Sequence, residues 1–318
     1  MPLVSVIVPM YNAEPYISAT LTSILEERDI PLEVVVVHDC CTDASLDRVR
    51  AINDLRVRVV DGPCRGAADA MNAGLAAACG EIIMRCDADD LYTPQRIARQ
   101  VLWLSEHPEF EAVCGNYSTI DPKGRLITNF KCGEEVKEIT EELRSGITRT
   151  HFGTYAVRSE VLRAVGGSRQ FLNTAEDIDL QLRIGESCRV CYVPEMQHRY
   201  RLHATSLTHK QSNVEREFFE SLAREFQRQR QTQGSDDLQR GCPPTLPKAG
   251  TKAMKSVEHI QGLLIGTAWD EHQAGHKQRA LALGIRSVIS QPSNIGVWRS
   301  LLALAVKPVG KEQKAGRE

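Results

Sequence analysis

Four short β-branched runs, each separated from the next by a helical pattern, constrain this chain more than any other feature. Val4 to Val8 is stopped by Pro9. Leu32 to Val37, Val57 to Val60 and Ile82 to Cys86 follow in turn. Between them, Tyr16 to Glu27 has helical spacing through Ile17, Leu21 and Ile24, Ser45 to Ile52 reads as a helix, and Ala67 to Ala78 as a small-residue helix. Strands that alternate with helices build a parallel sheet with right-handed crossovers. Such a sheet binds ligands in the crevice beyond the carboxyl ends of its strands. Polar residues after positions 9, 37 and 86 therefore place Asn12, Asp39 and Asp87 along one rim.

The fourth run ends abruptly. Glu81 to Asp90 reads Glu-Ile-Ile-Met-Arg-Cys-Asp-Ala-Asp-Asp, with three carboxylates within four positions. Side chains alternate along an extended segment, so Asp87 and Asp89 should point to one side, separated by Ala88. Two hard oxygen donors set together suit Mg²⁺ or Mn²⁺, whose remaining ligands are commonly water and substrate phosphates. The plainer reading is a polar turn in which Asp90 caps the helix that starts near Pro94.

A long helix to about His107 comes next, then strand-like stretches near Ala112 to Gly115 and Arg125 to Phe130. A helix with Ile178, Leu180 and Leu182 begins just after Thr174-Ala175-Glu176-Asp177, and Val190 to Val193 and His198 to His203 look extended. Asn213 to Arg228 is amphipathic, with Val214, Phe218, Leu222 and Phe226 on one stripe. Gln229 to Thr251 turns rich in Gln, Gly, Pro and Ser, as linkers are. Helices are expected again at about Met254 to Ala268, Lys277 to Ser290 and Ile295 to Val306. The pair closing on Gln291-Pro292 has the look of a single helical-hairpin repeat. The expected organisation is a domain over 1–228, a linker over 229–252 and a helical region over 253–318.

Composition narrows the function classes. With 318 residues, 25% charged and 42% hydrophobic, the chain can bury a full core. A net charge of −2 gives no reason to expect nucleic acid as a partner. No run approaches the ~18 apolar residues that span a bilayer. The start, Met-Pro-Leu-Val-Ser-Val, lacks a basic stretch followed by a long apolar one, so a reducing cytoplasm is expected despite ten cysteines. Cys188 and Cys191 have C-x-x-C spacing but no second pair at zinc-site distance, and their surroundings read as a strand.

Asp39 closes the second strand in Val37-His38-Asp39-Cys40-Cys41-Thr42-Asp43. A carboxylate there can accept the imide N–H of uracil or the N–H edge of guanine. It could equally cap the helix from Ser45, although Thr42 or Asp43 is better placed to do so. Neither G-x-G-x-x-G after the first strand nor a P-loop is present, so phosphate charge must be met otherwise. A divalent ion at Asp89, with Asp87 on the ion or the ribose, would meet it and stabilise a departing diphosphate.

Taken in order, these segments resemble the family 2 inverting glycosyltransferases of the GT-A fold. The matches are Ser5-Val6-Ile7-Val8-Pro9-Met10-Tyr11-Asn12, Asp39-Cys40-Cys41-Thr42-Asp43, Ala70-Met71-Asn72-Ala73-Gly74, Asp87-Ala88-Asp89-Asp90, Gly166-Gly167 and Ala175-Glu176-Asp177, spanning about residues 3 to 210. Any one is weak, and six in the right order are strong. The resemblance implies a nucleotide-diphospho-sugar transferase fold: a mixed, mostly parallel sheet flanked by helices, here with a C-terminal helical appendage. It implies that Pro9, Tyr11, Asn12 and Asp39 contact the base, Asp87 the ribose side and Asp89 the metal, Mg²⁺ or Mn²⁺. Asp177 matches the family's catalytic base, with Glu176 helping to orient the acceptor. Displacement at an anomeric carbon needs such a carboxylate to take the acceptor's proton, and a helix N-terminus favours its ionised form. Tyr200-Arg201-Leu202-His203 resembles the late family segment in which a basic residue reaches the diphosphate or the metal, which implies Arg201 on phosphate and His203 on the metal. His151 could line the acceptor pocket or merely start a strand.

Three positions depart from the family pattern. His38 replaces an acidic residue, Cys40-Cys41 replaces Gly-Ser, and Met71 stands where the family often has Arg. The expected activity is transfer of a sugar from a nucleoside-diphosphate sugar, a UDP-sugar first, to a glycan or lipid-linked acceptor. A nucleotide-sugar-binding scaffold without turnover is the alternative, and it would be expected to have lost Asp89 or Asp177. A sugar-phosphate nucleotidyltransferase would need a Gly-rich, Arg- and Lys-bearing loop after the first strand, which is absent. Near the C-terminus, Trp298, Leu301, Leu302, Leu304 and Val306 with Lys307, Lys311 and Lys314 could lie peripherally at the inner face of a membrane. They could instead pack on the preceding helices, and that reading is preferred, because the polar face is thin and the basic residues are interrupted by Glu312.

Overall fold

The computed structural model describes residues 1–206, 213–245 and 255–308. Lys311, Lys314 and residues 246–252 of the expected linker lie outside them. The described chain divides into two compact units, one of residues 1–117, 130–200 and 214–249, the other of 118–129, 201–213 and 250–318. This differs from the 1–228 and 253–318 division expected from composition, because two mid-chain segments group with the C-terminal helices.

The first unit begins with the anticipated alternation. Strands β1 (Val4–Met10), β2 (Leu32–His38), β3 (Val57–Asp61) and β4 (Ile82–Arg85) alternate with helices α1 (Ile17–Leu25), α2 (Ser45–Arg50) and α3 (Ala67–Ala77). They pair in parallel in the order β3-β2-β1-β4, with Met10 opposite His38 and Ile7 opposite Arg85. The chain continues through β5 (Leu91–Tyr92), α4 (Arg96–Glu106), β6 (Ala112–Ile120), β7 (Leu126–Phe130), β8 (Lys137–Glu138) and α5 (Thr140–Arg144). Then come β9 (Ala156–Arg158), α6 (Ser159–Ala164), α7 (Glu176–Ser187) and β10 (Val190–Arg201). Beyond β4 the sheet order runs β9-β6-β10-β5, and the β4–β9, β6–β9 and β10–β5 pairs are antiparallel.

Period-two alternation feeds both faces of the parallel strands. Val6, Val8, Val34 and Val36 pack with Ile17, Leu21, Ile24 and Val101. Ile7, Val35 and Val37 pack with Met71, Leu75 and Ile184 on the other side. Each fully buried side chain of this kind contributes about 1.5–3 kcal/mol. Gly74 sets how closely α3 approaches the sheet, since a Cβ there would run into Ile7.

Helix α8 (Asn213–Gln233) is longer than its stripe suggested, and it buries Phe219, Leu222, Ala223 and Phe226 against Leu172 and Ala175. Val214, expected on the buried stripe, is exposed. The start of the expected linker is not a linker: Gln229 to Gln233 continue the helix, and Asp236 is buried between Arg169 (2.6 Å) and Arg230 (2.7 Å). The Gln- and Ser-rich composition there reflects a polar helix end tied by ion pairs.

In the second unit, α9 (Ser256–Gln273), α10 (Lys277–Ser290) and α11 (Ile295–Val306) form a helical hairpin and a third helix. Gln261 joins α9 to α10, donating to the carbonyls of Ser287 (2.9 Å) and Gln291 (3.1 Å). Ala268, Ala280 and Leu304 form the small buried centre. Among the described residues, no helix is long and apolar enough to cross a membrane.

Candidate active site

The rim of the parallel strands in the first unit gathers most of the residues that the sequence singled out. Asn12 leaves β1 with φ 48°, and its Oδ1 accepts the backbone N–H of Thr42 at 2.8 Å, which ties the β1 loop to the β2 loop. Pro9 lies within β1 and is part-buried, while Tyr11 next to Asn12 is exposed. Asp39 is buried at the end of β2. One carboxylate oxygen accepts the N–H of Cys64 at 2.6 Å and the other that of Gly66 at 3.1 Å. At the start of α2 it is Asp43 whose carboxylate accepts the Ser45 N–H, at 3.0 Å, and Asp39, bonded to Cys64 and Gly66, does not cap that helix.

Two glycine-like requirements shape this corner. A Cβ at Gly62 would lie 2.7 Å from Asp39 Oδ1. Cys40 has φ 58° in the left-handed region, which accounts for the glycine that the resembled family places there. Cys40 and Cys64 form a disulfide with Cα atoms 5.4 Å apart, a cross-link that the expectation of reduced thiols did not contain. Met71, at the position where the family often has Arg, is buried in the core.

At the end of β4 the three carboxylates part company. Asp87 and Asp89 are part-exposed and Ala88 and Asp90 buried, but the segment is not the extended one expected: β4 ends at Arg85, and the Asp90 N–H donates to the Asp87 carbonyl at 3.0 Å, so residues 87–90 make the polar turn of the plainer reading. Asp90 caps no helix. Its Oδ2 lies 2.7 Å from Nε2 of the fully buried His198 on β10. The other ring nitrogen faces Arg96 at 3.2 Å. Since Arg96 can only donate, His198 carries its proton on Nε2 and gives it to Asp90. Burial first, then the Arg96 charge, lowers the His198 pKa to about 3 and keeps the ring neutral. Tyr92 completes this support: its ring lies under the Arg96 guanidinium at 3.9 Å, and its hydroxyl donates to the Arg85 carbonyl at 3.0 Å.

Arg85, a cation in an apolar strand, joins the acidic rim to α7. Its Nε donates to Asp87 at 2.7 Å and its Nη1 to Glu176 at 3.4 Å. Burial alone would push the Asp87 carboxyl up, but the Arg85 guanidinium beside it wins and holds it below the usual range. Glu176 goes the other way. Burial, followed by the neighbouring Asp177 charge, pushes it up to about 7. Asp177 is part-exposed at the start of α7 and accepts the backbone N–H of Ile178 at 2.8 Å. His151 stacks its ring 5.7 Å from His198 and 5.1 Å from Tyr200, and its Nδ1 accepts the Gly153 N–H. Burial lowers its pKa, with Asp177 opposing.

The remaining matched segments have structural tasks. Asn72 on α3 grips the backbone of Ser168, giving a hydrogen bond to its carbonyl and accepting one from its N–H, both 2.8 Å. Gly166 and Gly167 both have positive φ, and a Cβ at Gly167 would strike Asn72 Oδ1.

Arg201 and His203 belong to the second unit. The Arg201 guanidinium donates to the carbonyls of Asp121 and Pro122, each 3.2 Å away. His203 is buried, with Nδ1 2.8 Å from the Thr205 hydroxyl.

Among the described residues, no group of three or more His, Cys, Asp and Glu side chains is placed to hold a metal ion. What the first unit offers is the part-exposed pair Asp87 and Asp89, with Asp87 Oδ1 accepting from Arg85. That donor set fits an ion such as Mg²⁺ or Mn²⁺ that takes most of its ligands from water and substrate phosphates. Arg85, His198, Arg96 and the Cys64 loop were missed from the sequence. For Arg85 a signal existed, a single cation at the end of an otherwise apolar strand.

The parallel half-sheet, its antiparallel extension and an acidic rim facing a helix that starts with two carboxyls define a GT-A fold. Comparison with known proteins assigns the family: the model for Glycosyl transferase family 2 matches residues 5–168, just over half of the chain. The chain belongs to that family. It is 28% identical over 221 residues to a hyaluronan synthase of Pasteurella multocida, a match covering 68% of this chain and 22% of the relative. A chondroitin synthase of Pasteurella multocida (strain Pm70) matches with the same figures. The chain thus spans about a fifth of the length of these two relatives. Among solved structures, S. aureus TarS 1-349 in complex with UDP-GlcNAc has a similar fold, with a TM-score of 0.60, 19% identity, and coverage of 95% of this chain and 91% of that one.

Proposed function

We propose that this chain is an inverting glycosyltransferase that moves a sugar from a nucleoside-diphosphate sugar to a hydroxyl of a glycan or lipid-linked acceptor, with Asp177 as base. The observation that carries the reading is the Arg85 bridge. One buried guanidinium holds Asp87 of the acidic rim and Glu176 beside Asp177, so the groups expected to meet donor and acceptor belong to one charged unit. In this reading the part-exposed Asp177 carboxylate takes the acceptor's hydroxyl proton. The acceptor oxygen bonds to the anomeric carbon from the face opposite the diphosphate. The bond from that carbon to the diphosphate oxygen breaks, and its electron pair leaves with the nucleotide.

Asp39, Asn12, Tyr11 and Pro9 are assigned to the base and Asp87 to the ribose side. Asp89 would hold Mg²⁺ or Mn²⁺. A bound divalent ion would supply charge neutralisation for the leaving diphosphate. A UDP-sugar is the favoured donor, in line with the UDP-GlcNAc bound to the similarly folded S. aureus protein. The proposed setting is the cytoplasm, with peripheral contact at the inner face of a membrane.

A thermal-shift panel of UDP-, GDP- and dTDP-sugars, with and without Mn²⁺, tests the donor assignment, because a bound ligand raises apparent stability by mass action. The expected result is one nucleotide class that stabilises the chain more with the metal than without, an effect lost in Asp89→Ala. Binding with no transfer to any acceptor, in the parent chain as in Asp177→Asn, would favour the scaffold reading.

A further inference from the structure

Helix α11 is apolar on both sides, and only one side is covered. Leu304 is fully buried, and Leu301 and Leu304 lie where Gly284 of α10 leaves room for them. On the other side Ile295, Trp298, Leu302 and Val306, spaced three and four residues apart, are between 46% and 82% exposed. Ile285 and Ile289 of α10 are exposed as well. The choice between packing and a membrane contact, posed by the sequence, therefore divides by face: Leu301 and Leu304 pack, whereas Trp298, Leu302 and Val306 do not. The Trp298 indole N–H donates to the Pro292 carbonyl at 2.9 Å, so its polar atom is satisfied while about half of the side chain stays exposed.

Charge selects what can cover this face. From Lys277 to Lys307 there is no Asp or Glu, while Lys277, Arg279, Arg286, Arg299 and Lys307 all carry positive charge. Arg286 is occupied, donating to the Leu126 carbonyl at 2.7 Å, and the Lys307 ammonium lies 5.3 Å over the Trp269 ring of α9. A second copy of the chain would set cations against cations. A surface that takes apolar side chains into its interior and carries negative charge at its edge suits both features.

We propose that the outer face of α11 lies in the interface of a membrane containing anionic phospholipid, with Ile295, Trp298, Leu302 and Val306 inserted and Arg299 at the headgroups. This deepens the proposed membrane contact and rests on that reading. It is tested by binding alone, so its failure leaves the transferase assignment standing.

The full chain is sedimented with vesicles of phosphatidylcholine, and with vesicles in which roughly one-third of the lipid is phosphatidylglycerol. Binding to the anionic vesicles is expected, at least about ten-fold weaker to the neutral ones and weakened by salt. The double variant Trp298→Ser with Leu302→Ser should lose about ten-fold or more. Arg299→Glu alters only an exposed position and should lose affinity for the anionic vesicles alone. The proposal is overturned if the parent chain stays in the supernatant with both vesicles, or if both variants bind as the parent does. It is also overturned if sedimentation velocity shows a dimer that the double variant disperses, since the occupant would then be a second copy.

Discussion

Two adjacent carboxyls at the start of α7 differ in what surrounds them, and the difference predicts how each will respond to substitution. Asp177 is part-exposed, so as the proposed base it must be free to take a proton. Asp177→Asn keeps its shape and removes that capacity: nucleotide affinity should persist while kcat falls by roughly 10² to 10⁴-fold, the usual contribution of a positioned base. Titration calorimetry beside initial rates separates the two effects, and transfer at the parent rate would move the base elsewhere, with Glu176 first in line. Glu176 is buried and holds its proton up to about pH 7. Because its folded pKa lies above the ordinary carboxyl value, it contributes stability below that value, and the contribution is lost as pH rises through about 7. Glu176→Gln imitates the protonated form, so urea melts should show less loss of stability between pH 5 and pH 8 than in the parent. A variant with the parent's slope would deny the burial argument. The sequence could place Asp177 and Glu176 on a helix N-terminus from the residues just around them. It could not reveal that Asp90 answers His198, because that partner lies 108 residues away and a local reading sees only a possible cap.

Among the elements, the parallel half of the sheet was legible throughout, and the antiparallel half only in its longer strands β6, β7 and β10. β1 to β4 are runs of β-branched residues bounded by Pro, Gly or Asp, a pattern with one solution. β5 and β9 are two and three residues long, too short for any period to register. The helices of the second unit were readable, with α10 and α11 matching to the residue, because Gln291-Pro292 separates two uninterrupted helical stretches. The loop before α7 shows how a short sequence match can be a packing requirement. Gly167 has φ 66° and no room for a Cβ beside Asn72, whose amide holds Ser168 at both backbone atoms. Gly167→Ala should cost about 1–3 kcal/mol through backbone strain. Chemical denaturation is the check, and an unchanged midpoint would mean that α3 and this loop separate at little cost.

For the molecule as a whole, the ion pairs of Asp236 decide where the chain can be shortened. A cut near Arg230 would remove Asp236 and leave Arg169 and Arg230 without it, whereas one after Thr245 keeps the set. A chain ending at Thr245 should remain folded and bind donor nucleotide by calorimetry, since the proposed base-contacting residues and Asp177 all precede Gln229. Its failure to bind while folded would show that the C-terminal helices take part in the donor site. The same boundary separates two populations of charge. From Lys255 onward there are nine Lys and Arg against five Asp and Glu, leaving thirty against thirty-six before it, in a chain of 39 against 41. If a protease nicks the chain between them, the fragments, once denatured, will therefore part on ion exchangers at neutral pH, the N-terminal piece held by an anion exchanger and the C-terminal piece by a cation exchanger. Preparations whose yield is followed on a single resin would silently discard one half.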